Sequence, residues 1–163
     1  MAQRAWKILL VNLAKGRLGE DSSALLGGLL VTTIGLAAYS RADISENQRR
    51  GFFAYVDEFQ SFTTMALANM LSELRKYRVA FTISHQYMYQ LSPEIRHAVL
   101  GNAGTLICFR VGAEDAPYLA REFVGQFDEA DLVQLPNYRI YLRLMIDGSP
   151  SKPFSAVTLS PTI

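Results

Sequence analysis

Two adjacent carboxylates, Asp57 and Glu58, are the residues best suited to chemistry, and they directly follow an apolar run at residues 52–56. Such a run (FFAYV) predicts a short strand buried on both faces, as in a parallel sheet. Ligands of open α/β sheets bind outside the carboxyl ends of the strands, where this pair would lie. Asp57 could then hold Mg²⁺ through a water, and Glu58 could take a proton from a water attacking a phosphate. The alternative is two exposed acids that cap a turn.

Three further polar residues stand where they could serve such a reaction. Gln86 follows a predicted strand at 78–84, so its amide could orient the attacking water or sense the γ-phosphate; alternatively it only begins a loop. Arg75 lies near the end of a predicted helix, either as an arginine finger for a neighbouring subunit or as a cation favoured by the helix C-terminus. Arg110, near the end of another predicted strand, is a weaker finger or sensor candidate.

Length and composition set the class of protein. The 163 residues are 50% hydrophobic and 19% charged, which predicts one globular domain and excludes a disordered chain. The net charge of +1 gives no overall basic excess, so any contact with DNA must be local. The single cysteine, Cys108, excludes an internal disulfide and a cysteine-cluster zinc site, and its position within a strand predicts a buried, inert thiol.

Strands and helices alternate along the chain, which predicts an open, mainly parallel α/β sheet with flanking helices in a single domain, 1–163. The uncharged stretch 24–39 is just short of a bilayer span and predicts a helix buried in that domain. The predicted strands are 6–13, 52–56, 78–84 and 105–111, the predicted helices are 20–40, 63–77, 93–100, 114–124 and 128–132, and a terminal hairpin is predicted at 138–146 and 154–159.

One motif that phosphate chemistry would call for does not occur in this sequence. The phosphate-binding pattern GxxxxGK[ST] is absent from residues 1–163. The loop at 15–19 has glycines and cations but not this spacing, and Gly27-Gly28 lies inside a helical pattern. Neither segment can replace the missing motif.

Four stretches together resemble the HerA/FtsK-type ATPases, and most of all the TraG/TraD-type coupling proteins of conjugative DNA transfer and type IV secretion. The order of an acidic pair, an Arg-Lys at the end of the next helix, and a glutamine eleven residues after that arginine is similar to the family's order. The resemblance covers nearly the whole chain, to the PFSAVTL segment near its end. The stretches are ILLVNLAKGRLGEDSSALLGGLL, FFAYVDEFQSF, LSELRKYRVAFTISHQYMYQL and LGNAGTLICFRVGAEDA.

This resemblance implies a role for each candidate residue. Asp57 is similar to the magnesium-binding acid of the Walker B motif, and Glu58 to the catalytic base. Gln86 is similar to the residue that couples the γ-phosphate to DNA movement. Arg75 is similar to the arginine that acts on the nucleotide of a neighbouring subunit. The resemblance also implies that Arg110, like Asp57 and Gln86, contacts the nucleotide. The implied cofactors are ATP and Mg²⁺.

The family's fold is a RecA-like P-loop sheet of the ASCE type, and this sequence departs from it. The family's Walker A motif precedes the region that these residues resemble, and its strand lies between those matching 78–84 and 105–111. Without that strand, these two strands should either pair directly or leave unpaired edges. The sequence therefore corresponds to the C-terminal half of such a domain, from Walker B to a terminal hairpin, as a truncated gene, a gene fragment or half of a split protein.

The function implied by the resemblance is part of an ATP-driven DNA translocase that needs a P-loop half to hydrolyse ATP. The implied partners are DNA in the pore of a ring, homologous subunits in a hexamer, and secretion-system or relaxosome proteins. The implied location is the cytoplasm, at the inner membrane through an upstream anchor. The alternatives are a non-enzymatic module or gene remnant that docks on an intact homologue, and an unrelated Mg²⁺-dependent hydrolase, which would need more carboxylates at strand ends.

Overall fold

The computed structural model describes residues 7–160, which form one long helix, several short helices, two sheets and a small β-pair. One-turn 3₁₀ helices lie at 46–48, 59–62, 74–77, 88–90 and 121–123. The helices and strands are, in chain order, α1 (Lys15–Leu18), α2 (Glu20–Tyr39), β1 (Phe52–Val56), α3 (Met65–Leu71), β2 (Val79–Ile83), α4 (Pro93–Asn102), β3 (Leu106–Cys108), α5 (Ala116–Ala120), α6 (Glu129–Val133), β4 (Arg139–Arg143), β5 (Met145–Ile146), β6 (Ser149–Pro150) and β7 (Phe154–Val157).

The first sheet consists of β1 and β2, which pair in parallel with Phe52 opposite Val79 and Val56 opposite Ile83. The predicted strands are confirmed here, but the expected burial of both faces is wrong. Phe53 and Tyr55 are 61% and 77% exposed, because the helices that build this core pack on the opposite face only. Within residues 7–160, one face of the parallel pair is therefore bare, although parallel sheets are normally covered on both faces.

The second sheet has the order β3-β4-β7 and is antiparallel throughout. The terminal hairpin is confirmed, since Arg139–Arg143 pairs with Phe154–Val157. The expectation of one mainly parallel sheet is wrong: among residues 7–160, the parallel pair and the antiparallel strands form separate sheets. β2 and β3 do not pair, so each has an edge that is unpaired by any described residue, which is the second of the two outcomes expected without the family's central strand.

The first hydrophobic core lies between the β1–β2 sheet and α2, α3 and α4. The predicted helix 63–77 is interrupted: α3 ends at Leu71 and a separate 3₁₀ turn follows at 74–77. Its predicted apolar face is nevertheless buried through Leu67, Met70 and Leu74. At the start of α4, the Ser92 side chain accepts a hydrogen bond from the Ile95 amide, which confirms the predicted N-cap.

The second core lies under the β3-β4-β7 sheet and is centred on Phe123 and Leu132, which are fully enclosed. Asp128 and Asp131 close the start of α6 as a reciprocal capping box, and this helix agrees with the prediction. Cys108 is buried in the same core, and burial raises the pKa of its thiol to about 12. The thiol is therefore inert, as the sequence predicts.

The prediction of a buried strand at residues 6–13 is wrong for residues 7–13, the part that the structure describes. These residues form no strand, and Ile8, Leu9 and Leu10 are exposed. The segment runs beside β1 across an open cavity of about 1210 Å³ instead of pairing with it. Its end is held where the Ser23 hydroxyl donates to the Leu13 carbonyl at 2.5 Å. An apolar run becomes a strand only when a neighbouring strand pairs with it, and no strand in the described part of the chain pairs with this one.

Helix α2 packs on the first core with one side and exposes the other. Small side chains line its buried side, whereas Leu25, Leu29 and Leu36 are exposed, so the expected burial inside the domain holds for one side only. Among the described residues it is the one helix long and apolar enough to cross a membrane.

Replacing Gly27 by alanine is expected to lower the free energy of unfolding by about 1–3 kcal/mol, because the new methyl group would overlap the Phe62 ring. Gly28 is the matched control: no atom lies within 4 Å of the position that a Cβ would take there, so Gly28→Ala should stabilise the helix by about 0.5–1 kcal/mol. Urea unfolding followed by circular dichroism measures both changes. Equal effects of the two substitutions would contradict this packing of α2.

Candidate active site

The carboxyl ends of β1 and β2 meet at one edge of the parallel sheet, as the sequence predicts. Asp57 follows β1 and Ser84 follows β2 in the same register, and the Ser84 hydroxyl donates to Asp57 Oδ1. The Glu58 amide donates to the same oxygen at 3.0 Å. Both bonds end on Oδ1, so Oδ2 has no hydrogen bond within residues 7–160. Asp57 is therefore fixed in place with one oxygen still able to bind a ligand.

Glu58 adopts a left-handed backbone conformation, with φ 51° and ψ 43°. This region is uncommon for residues other than glycine and is enriched at functional sites. The conformation lets the chain turn sharply at the end of β1, and the turn is held where the Phe59 amide donates to the Ser84 carbonyl at 2.9 Å. The turn directs the Glu58 side chain toward the end of β2.

Glu58 and Gln86 are in direct contact. The Gln86 amide nitrogen donates to Glu58 Oε1 at 2.7 Å, and the Gln60 amide nitrogen donates to Oε2. Both carboxylate oxygens therefore have a hydrogen-bond donor. Two residues that sequence analysis selected on separate strands are brought together, whereas Gln60 was missed because it stands in an ordinary-looking turn.

Arg75 lies away from this cluster. It occupies the turn that precedes β2, at the opposite end of the strand from Gln86, and five residues of strand span about 16 Å. The turn is secured by Arg41, which donates to the Tyr77 carbonyl at 3.1 Å, and by Arg49, which stacks on the Tyr77 ring. Arg75 itself is exposed, so within one chain it does not contact Glu58.

Arg110 follows β3, two residues beyond the last residue of that strand, and is exposed. It makes no contact with Asp57, Glu58 or Gln86. Its side chain lines a separate cavity between the end of β3 and the start of β4. The structure thus joins three of the five candidate residues and leaves Arg75 and Arg110 apart from them.

A magnesium ion would find one fitting ligand at this edge. Mg²⁺ is usually held by one or two carboxylates together with waters and substrate phosphates, and Asp57 Oδ2 has the right chemistry. Among residues 7–160, no three His, Cys, Asp or Glu side chains converge as a metal cluster. Asp57 can therefore contribute to a magnesium site completed by a nucleotide, but these residues do not form a cation cage of their own.

The loop that carries Gln86 is held by residues that the sequence did not reveal. Asp115 is 3% exposed, and its carboxylate accepts hydrogen bonds from the Met88 and Tyr89 amides at 3.0 and 3.2 Å. Arg96 is also buried and donates to the Met88 carbonyl at 3.2 Å and to the Leu91 carbonyl at 3.1 Å. Both side chains bind backbone groups, which no residue pattern signals.

His85 lies next to this loop. Burial lowers the pKa of its imidazole, and the nearby Asp115 carboxylate opposes that shift. Its Nδ1 is buried without a hydrogen-bond partner among the described residues. Asp115 directly precedes α5 and binds the amides of Met88 and Tyr89 in the loop after β2. It therefore connects the first core to the second.

Replacing Asp115 by alanine is expected to loosen this loop, because two buried amides would lose their acceptor, at a cost of about 1–3 kcal/mol. Amide hydrogen exchange at Met88 and Tyr89 should then become about 10- to 100-fold faster. The control is Asp43→Ala, an exposed aspartate whose loss should leave these amides unchanged. Unchanged exchange in Asp115→Ala would show that Asp115 does not hold the loop.

Residues 7–160 form a mixed α/β structure, with a small parallel sheet and added antiparallel strands. This fold is similar to that of two solved structures. The bacterial conjugative coupling protein TrwBdeltaN70, in an unbound monoclinic form, matches 77% of this chain and 36% of its own, with a TM-score of 0.60 and 13% identity.

The second is the genome packaging NTPase B204 from Sulfolobus turreted icosahedral virus 2 in complex with AMPPCP, which matches 85% of this chain and 63% of its own, with a TM-score of 0.55 and 12% identity. This chain thus spans less than two thirds of each. No family model and no curated protein sequence matches it. At this low identity the similarity extends to the fold alone.

Proposed function

We infer that this chain is the Walker B-containing part of an ATP-driven DNA translocase, of the kind that couples DNA to conjugative transfer or type IV secretion. The contact between Glu58 and Gln86 at the ends of adjacent parallel strands carries the proposal. The fold similarity to a coupling protein and a genome packaging NTPase supports it.

Each residue at the carboxyl ends of β1 and β2 has a geometry that suits one step of ATP hydrolysis. Asp57, fixed through Oδ1, would hold Mg²⁺ through Oδ2, and the ion would neutralise the nucleotide phosphates. Glu58 would take the proton from the attacking water. Since both Glu58 oxygens accept hydrogen bonds, the Gln86 or Gln60 amide must yield to that water first. Gln86 would thereby link the state of the phosphate to the position of its loop.

The P-loop has to come from sequence outside these 163 residues, on the same polypeptide or on another. The unpaired edges of β2 and β3 are the places where a strand carrying it could join the two sheets. We propose a ring of subunits with DNA in the pore, located in the cytoplasm at the inner membrane, with secretion-system or relaxosome proteins as further partners.

The test is to tag the C-terminus of the chain in its own cells and purify what the tag retains, here named the tagged assembly. Mass spectrometry should find a GxxxxGK[ST] segment in it, and the assembly should hydrolyse ATP faster when DNA is added. The isolated 163 residues should hydrolyse none. An assembly with no P-loop segment and no ATPase activity would overturn the proposal in favour of a non-enzymatic docking module.

A further inference from the structure

We propose that the cavity between the end of β3 and the start of β4 binds one nucleotide unit, with its phosphate on two arginines and its base on an aromatic ring. The cavity measures about 380 Å³, within the range typical of small-molecule sites. The proposal takes its class of ligand from the proposed function, which it extends to a second location. The residues that line the cavity are Phe109, Arg110, Pro136, Asn137, Tyr138 and Arg139.

The two arginine side chains in this cavity, Arg110 and Arg139, favour binding of an anion. The antiparallel pairing ends with Cys108 opposite Tyr141, and Arg110 and Arg139, each two residues beyond that pair, both line the cavity. Like charges brought together at the end of a strand pair are destabilising. Within residues 7–160 neither guanidinium has an ion pair or a hydrogen bond, and no acidic residue lines the cavity. A phosphate between them would replace repulsion by paired hydrogen bonds, for which guanidinium geometry is suited.

The aromatic rings favour a nucleotide over a simple anion. Phe109 and Tyr138 line the same cavity and are 54% and 57% exposed. Exposed rings beside cations are the usual means of stacking bases while the cations hold the phosphates. Tyr138 has a left-handed φ of 64°, and its carbonyl is fixed by the Thr158 amide at 2.7 Å and the Thr158 hydroxyl at 3.1 Å. Its ring is therefore held at the cavity by a constrained backbone.

The position of the cavity agrees with this ligand. Asp115, seven residues beyond β3, binds the Met88 and Tyr89 amides that follow β2. The segment that follows β2, which carries Gln86, is therefore in contact with the segment that follows β3, which carries Arg110. The nucleotide unit can come from a free mononucleotide or from single-stranded DNA, because both present a phosphate next to a base.

The experiment measures binding to the 163-residue chain by titration calorimetry, with EDTA present so that no magnesium site contributes. The probes are AMP, an eight-residue oligo-dT, and inorganic phosphate alone. AMP or oligo-dT should bind at least tenfold more tightly than phosphate. If oligo-dT binds at least tenfold more tightly than AMP, the natural ligand is single-stranded DNA. If AMP binds at least tenfold more tightly than oligo-dT, the natural ligand is a free mononucleotide.

Variants then locate the site. Arg139→Gln and Arg110→Gln should each weaken nucleotide binding at least tenfold, and Tyr138→Ala should weaken it at least fivefold while Tyr138→Phe retains it. Arg17→Gln, at an exposed arginine in α1, is the control and should change nothing. Circular dichroism establishes that each variant is folded.

Two results would overturn the proposal: no binding of AMP or oligo-dT, or binding that the Arg139 and Tyr138 variants leave unchanged. Phosphate binding as tightly as the nucleotides would overturn the role of the rings. The ATPase test of the tagged assembly depends on Glu58 and a P-loop, not on this cavity. The proposed function can therefore stand if the cavity binds nothing, and fail if it binds.

Discussion

Glu58→Gln should reduce DNA-stimulated ATP hydrolysis by the tagged assembly at least about 100-fold, because an amide cannot accept the proton of the attacking water. The substitution preserves size and leaves Asp57 in place, so ATP should still bind. The measurements are steady-state phosphate release and equilibrium binding of labelled ATP, each with and without DNA.

Glu46→Gln is the matched control, since Glu46 is an exposed glutamate in the 3₁₀ turn at 46–48, before β1. It should retain full activity. Hydrolysis that survives in Glu58→Gln at more than a tenth of the normal rate would exclude Glu58 as the base. Loss of ATP binding together with hydrolysis would instead assign Glu58 to nucleotide retention.

Arg75→Ala is expected to lower ATP hydrolysis by about 1000-fold, the scale at which arginine fingers act. It lies at the opposite end of β2 from Gln86, so under the proposed function it would serve the site of a neighbouring subunit. Lys76→Gln removes an adjacent exposed cation and should leave activity nearly unchanged.

A mixing experiment distinguishes action in trans from a structural effect. Subunits carrying Arg75→Ala and subunits carrying Glu58→Gln are each inactive in this scheme. When mixed, some interfaces combine an intact Arg75 with an intact Glu58, so part of the activity should return. If no mixture recovers activity although both variants assemble, Arg75 does not act across the interface.

The acidic edge could be predicted because its signals are local. A five-residue apolar run ending in two acids fixes the end of β1, and parallel register then brings Gln86 near Glu58. The same register places Ser84 beside Asp57, so the contact between these two residues could also have been predicted from the sequence. Asp115 was not, because its partners are backbone amides, which carry no residue identity.

The failed predictions share a cause. The apolar pattern at 6–13 predicts burial, and so do the apolar residues Phe53 and Tyr55. Yet Phe53 and Tyr55 are exposed, and so are Ile8, Leu9 and Leu10. An apolar pattern shows that a segment can be buried, whereas actual burial depends on whether other elements pack against it. The division into two sheets has the same origin, since no strand formed by residues 7–160 lies between β2 and β3.

The bare face of the β1–β2 sheet has a consequence for the life of the chain in a cell. Phe53 and Tyr55 stand there beside Ala80 and Thr82 of the paired strand, all four exposed. Exposed apolar surface next to unpaired strand edges promotes aggregation and attracts chaperones and proteases. An unassembled copy should therefore be short-lived, and the amount of this chain should follow the supply of whatever covers that face.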